Sequence, residues 1–223
     1  MNNGTAVIVN SCFGGKMGFV DYLKKVFGLF KDNIKDLAII SILSQIPLMI
    51  LAFLNLPAII VQVIGVVVQI IYMISIIKLI DNRAKGNMIS AIGAIKLVKE
   101  NWLAASGAIL LQALLFGVGG RIPFLPIIIS VILAVSIPMG ALQNKSILQS
   151  AADSFKLIKT QMIDVLAKLL LLSAISGILM FGLNLIYMAV PSTLLVVNIL
   201  TSILATVQMI SALVLFYNLP TVK

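Results

Sequence analysis

Phe27-Gly-Leu-Phe-Lys-Asp-Asn33, Ile95-Lys-Leu-Val-Lys-Glu-Asn101 and Phe155-Lys-Leu-Ile-Lys-Thr-Gln161 are three variants of one pattern, set 68 and 60 residues apart. Each stands just before a long apolar stretch with almost no charge. Aligned on Lys31, Lys99 and Lys159, the copies are apolar or small at four further positions. These are Leu23/Ala91/Ala151, Phe27/Ile95/Phe155, Phe30/Val98/Ile158 and Ile34/Trp102/Met162. Their spacing traces one face of a helix. Two residues before each aligned lysine is Leu29, Leu97 or Leu157, and two residues after it is an amide, Asn33, Asn101 or Gln161. The remaining face is polar. It carries Lys24, Lys25, Lys31 and Lys35 in the first copy, Lys96, Lys99 and Glu100 in the second, and Asp153, Lys156 and Lys159 in the third. Such a helix is expected to lie in a membrane interface, with its apolar side toward acyl chains and its lysines toward lipid phosphates.

The rest of the chain fits that setting. Of its 223 residues 61% are hydrophobic and 10% charged, and the mean hydropathy is +1.17. A soluble domain of this size could not bury so much apolar surface. A bilayer crossing needs about 20 predominantly apolar residues. The pattern predicts six spans, over Leu37–Leu54, Ala58–Ile80, Trp102–Gly119, Pro123–Leu142, Val165–Val190 and Thr193–Tyr217. Pro47 predicts a kink in the first, and Pro138 with Gly140 a kink or an early end of the fourth. The expected fold is therefore all-α: a polytopic membrane protein made of three units, each an interfacial helix followed by a transmembrane hairpin. The units run over 17–87, 88–146 and 147–223, behind a glycine-rich stretch at 1–16 expected to be a flexible tail. That stretch lacks the basic and apolar regions of a cleavable signal peptide. Cys12 is the single cysteine, which excludes an intramolecular disulfide.

With six spans, 15 of the 16 basic residues fall on one side and only Arg121 on the other. The positive-inside rule then places both termini in the cytoplasm and the protein in a plasma, or bacterial inner, membrane. The net charge of +9 accordingly describes a face opposed to anionic lipid and is no sign of nucleic-acid binding. Because each unit holds an even number of spans, the units are parallel, unlike the inverted repeats of many secondary transporters.

Catalysis has little to work with. There is no histidine, and the seven carboxylates all avoid the predicted mid-membrane positions. The chain also lacks phosphate-loop, nucleophile-elbow and zinc spacings. No catalytic residue, metal ligand or cofactor is expected. The candidate contacts to lipid headgroups are Lys24, Lys31, Lys96, Lys99, Lys156 and Lys159. Asp164 and Lys168, one turn apart, form an expected interfacial ion pair, whose simplest role is mutual neutralisation while the lysine reaches the interface. Asn55, Gln62 and Gln69 recur at heptad spacing, and Asn198, Ser202 and Gln208 share a face of the last span. These six residues form either a polar pathway or an interhelical packing face.

Ala91-Ile-Gly-Ala-Ile-Lys-Leu-Val-Lys-Glu-Asn-Trp102 and Ser150-Ala-Ala-Asp-Ser-Phe-Lys-Leu-Ile-Lys-Thr160 resemble the helix that precedes each hairpin in the bacterial membrane domain found with glycerophosphoryl diester phosphodiesterases, and in related small inner-membrane proteins. The likeness runs over most of residues 19–217. The histidine-dependent phosphodiesterase domain of that family is missing, so the resemblance implies a stand-alone membrane domain tied to lipid or envelope physiology. Together these readings lead to a non-enzymatic protein that senses, handles or scaffolds lipids. Its expected partners are anionic membrane lipids, with a membrane-protein complex or a homo-oligomer as a further possibility. Two other readings stay open: a transporter or permease component for an amphipathic or neutral solute, and an immunity factor against a membrane-active peptide.

Overall fold

The computed structural model describes residues 17–54, 56–119, 125–190 and 193–219. Among them every regular element is a helix. In chain order these are α1 (Phe19–Phe53), α2 (Ala58–Ala84), α3 (Ala91–Lys96), α4 (Trp102–Gly119), α5 (Leu125–Ile132), α6 (Ser136–Gln143), α7 (Ile147–Lys159), α8 (Met162–Ala189) and α9 (Leu194–Asn218). A 3₁₀ turn over Leu97–Glu100 links α3 to α4. Four segments are long and apolar enough to cross a membrane: Phe19–Leu51, Ala58–Ala84, Met162–Ala189 and Val196–Asn218. In hydrocarbon a chain must satisfy its backbone polar groups internally, and a helix does so within one segment. The fold class is thus that of a helical membrane protein. The glycine-rich stretch at 1–16 and Arg121 lie outside the described residues.

The three copies of the repeat differ in their backbone. In the second and third, the helix stops at the amide and restarts on the next residue. Asn101 (φ −130°, ψ 28°) and Gln161 (φ −131°, ψ 27°) adopt nearly the same non-helical conformation. In the first copy Asn33 stays helical and donates to the Leu29 carbonyl at 2.7 Å. The expected separation of an interfacial helix from the first span is therefore corrected: both belong to the single 35-residue α1, which continues through Pro47. The apolar face of the pattern is also divided. Phe27, Ile34, Phe155 and Met162 are exposed, whereas Ala91, Val98 and Ile158 are buried in protein. Part of the face predicted to meet acyl chains instead meets neighbouring helices.

The fourth predicted span is two helices, α5 and α6, separated at Leu133–Val135. Pro138 falls in the first turn of α6, where the missing N–H has no helical partner to lose. The carbonyls freed by the break are taken up nearby. Ser154 Oγ of α7 donates to the Ile132 carbonyl at 2.6 Å, and Ser136 Oγ to that of Leu133 at 2.8 Å. Asn144 closes α6 in the left-handed conformation, φ 52°. Gly140 lies so close to α4 that an added Cβ would sit 2.9 Å from the Ala104 carbonyl oxygen. A turn at Gly86, φ 82°, ends α2.

α1 packs on α2 and α9, α9 also on α8, and α4 on α6. The buried side chains are not spread evenly along these helices. They occupy the N-terminal part of α1 (Tyr22, Val26, Leu37, Ile40), the C-terminal part of α2 (Ile74–Ile80) and the C-terminal part of α9 (Val207–Leu215). α4 contributes from its first turns, Ala104–Ile109. The opposite ends carry exposed apolar side chains, among them Ile59, Val63, Leu114, Ile178, Met188 and Val196.

Candidate functional site

Contacts between elements gather the charged residues at the packed end. Arg83 at the end of α2 donates to Asn33 Oδ1 at 2.7 Å, to the Ile89 carbonyl at 2.9 Å and to the Asp36 carboxylate. Asp36 in turn accepts from the Ala91 N–H at 2.9 Å and so holds the start of α3. Asp81 pairs with Lys85 at 2.6 Å and accepts from the Tyr217 hydroxyl of α9. Lys78 meets Glu100 at 3.1 Å. Asn101 donates to the Ala141 carbonyl at 2.6 Å, tying the break before α4 to the end of α6. Lys145 contacts Asp153 at 2.7 Å. That hydrogen bond, which outweighs partial burial, holds the Asp153 carboxyl below its ordinary range.

The six candidate lysines, Lys24, Lys31, Lys96, Lys99, Lys156 and Lys159, are all exposed. Lys156 lies 3.7 Å from Asp153. The other five form no ion pair with any described residue. Five cations without counter-charges at a folded surface suit an anionic partner.

The predicted Asp164–Lys168 pair forms at 2.5 Å. Its lysine is buried rather than reaching outward, since it also donates to the Met17 carbonyl at 3.0 Å and lies 5.6 Å from the centre of the Tyr22 ring. Tyr22 itself bonds to Ser211 of α9. The pair forms part of the wall of a cavity of about 950 Å³, with Lys159, Thr160 and Gln161 on one side and Leu215 and Asn218 on the other. The buried Asn218 Oδ1 has no hydrogen-bond partner among the described residues. The site combines cations, a carboxylate, uncharged donors and apolar walls at the junction of α7 with α8.

The two predicted polar faces separate on folding. Asn55 lies outside the described residues. Gln62 and Asn198 are exposed and line neither cavity. Ser202 serves packing, its hydroxyl accepting from Gln45 at 2.7 Å and its carbonyl from Tyr72. Only Gln69 and Gln208 converge, on a second cavity of about 460 Å³ among α2, α4, α5, α6, α8 and α9. There they are joined by Gln112, Ser130, Ser173 and Ser211. Gln112 escaped the sequence reading because it is isolated in its own helix, with no second amide at helical spacing. Among the described residues no group of His, Cys, Asp or Glu could hold a metal ion.

Comparison of the chain with family models, with curated proteins and with solved structures returns no match.

Proposed function

We propose that this chain is a six-span, non-enzymatic inner-membrane protein that engages anionic lipid headgroups through its lysine-bearing end, with both termini on the cytoplasmic side. The carrying observation is the five exposed lysines without ion partners, set at the same end as the packed core. α4 and the α5–α6 segment, though shorter than the four long helices, supply the third and fourth crossings in this reading. Anionic headgroups gather at such a surface, each lysine contributing about 1 kcal/mol near a charged leaflet. The cavity beside Lys159 and Asp164 offers a headgroup both a cation and hydrogen-bond donors, with the exposed apolar side chains of Met162 and Ile163 on the same lining. The sequence resemblance to the phosphodiesterase-associated membrane domain points the same way, toward lipid or envelope physiology.

The test is lipid selectivity in reconstituted vesicles. Spin-labelled phosphatidylglycerol should associate with the full-length protein several-fold more than spin-labelled phosphatidylcholine, and salt should weaken the preference. Replacing Lys31, Lys99 and Lys159 together by Gln should lower it by about fivefold or more. Equal association of the two lipids, or a preference that survives the triple replacement, rejects the proposal.

A further inference from the structure

The smaller cavity lies in the apolar part of the bundle, and its lining includes no charged residue. Gln69 of α2, Gln112 of α4 and Gln208 of α9 all line it, Gln112 half-buried and the other two exposed on its wall, and none hydrogen-bonds to any described residue. Each stands in the interior of its helix, far in sequence from either end. A primary amide left without a partner in hydrocarbon is costly, so three on one cavity call for a ligand that hydrogen-bonds to them. Apart from Ser130, Ser173 and Ser211 the remaining lining is apolar, with Met73, Ile137, Leu172 and Met209 among it. Val66 and Leu110 on the same lining are exposed, so the cavity communicates with the lipid-facing surface. Its volume of about 460 Å³ lies within the usual range of small-molecule sites.

From this geometry we infer that the cavity binds an uncharged lipid of the acylglycerol class, its hydroxyl and ester groups bonded to Gln69, Gln112 and Gln208 and its acyl chain laid toward Val66 and Leu110. Amides both donate and accept, which matches a head carrying hydroxyls and a carbonyl. A fatty-acid anion or a phospholipid would bring a charge to a site with no cation to receive it. The site is separate from the lysine-bearing face and does not rest on it.

The experiment uses the full-length protein in phospholipid vesicles and a monoacylglycerol with a photoreactive diazirine in its acyl chain. Labelling should concentrate on α2 and α4 around Val66 and Leu110, where the acyl chain lies. Unlabelled monooleoylglycerol should compete, and oleate and phosphatidylglycerol should not. Changing Gln69, Gln112 and Gln208 together to Leu should cut labelling about tenfold, as expected when several hydrogen bonds are lost. Gln62→Leu, outside the cavity, and the triple lysine replacement should leave labelling unchanged. If the triple Leu variant fails to fold by circular dichroism and size exclusion, Gln112→Leu alone and the competition pattern in the unaltered protein decide the matter. Labelling spread evenly over exposed positions such as Ile178 and Phe181, labelling undiminished in a folded Leu variant, or competition by oleate equal to that by monooleoylglycerol overturns the inference. So does a disulfide between two copies through Gln208→Cys in a Cys12→Ser background, because a second copy would then occupy the cavity.

Discussion

The two ends of this bundle are made from the same long helices and obey different physics. At the charged end, Tyr22, Ile74, Ile80, Val98 and Leu213 are buried, and bonds from Arg83, Asp36, Asp81 and Asn101 cross between elements. At the far end, Ile59, Leu114, Ile178 and Met188 stand exposed. Similar apolar residues are packed in one half and open in the other. The contrast teaches that apolarity alone does not produce burial in a membrane protein, because lipid is as acceptable a neighbour as another helix. Close packing follows where polar contacts and close helix approach hold the backbones together.

Breaking the polar contacts should have the largest effect. Arg83→Ala removes the guanidinium shared by Asn33, Asp36 and the Ile89 carbonyl, and should cost about 2–3 kcal/mol for a partly exposed network of this kind. Gln62→Leu at an exposed position of α2 should stay within about 0.5 kcal/mol. Denaturation in mixed micelles, comparing midpoints, measures both. Equal losses would erase the distinction between the ends.

The same small substitution sharpens the comparison with an opposite sign at each place. Gly140→Ala drives a methyl against the α4 backbone and should destabilise by about 1–3 kcal/mol. Gly182→Ala meets nothing within 4 Å, so it should be neutral or stabilise α8 by up to about 1 kcal/mol. Thermal midpoints followed by size exclusion in detergent give the two signs. A stable Gly140→Ala protein would mean that α4 and α6 are not in close contact.

A small loss is expected at the rim of the charged end. The Lys145 hydrogen bond depresses the Asp153 pKa, so its contribution is present above the unfolded pKa of the carboxyl and is lost as pH falls through the lower folded value. Asp153→Asn should therefore cost less than about 1 kcal/mol near neutral pH, and this deficit should vanish once the medium is acid enough to protonate the unaltered carboxyl. Midpoints of both proteins across acid pH provide the check. A deficit that persists in strong acid would assign the loss to packing rather than charge.

Much of the helical framework was legible in the sequence. Apolar length located the helices, and Trp102–Gly119 coincides with a predicted span. Pro138 marked the fourth stretch as one that would kink or end early, whereas the structure breaks it ahead of that residue, at Leu133–Val135. The candidate site was less legible. Gln69 and Gln208 were identified as polar positions, but Gln62, at heptad spacing from the first, and Asn198, on the same helix face as the second, suggested two continuous faces that the structure does not bring together. Periodicity reports which residues share a face of one helix. It carries no information about which other helix that face meets.

The amino-acid sequence by itself determined that this is a helical membrane protein with its basic residues in clusters. Those properties follow from the cost of exposing apolar side chains to water and of placing charge in hydrocarbon. Only the tertiary structure decided that Asn101 and Gln161 break their helices while Asn33 continues one, that Lys168 is buried beside Tyr22, and that Gln69, Gln112 and Gln208 surround one cavity. Each of these depends on contacts between residues far apart in the chain. Their geometry is set by how the helices cross, and no local pattern encodes that crossing.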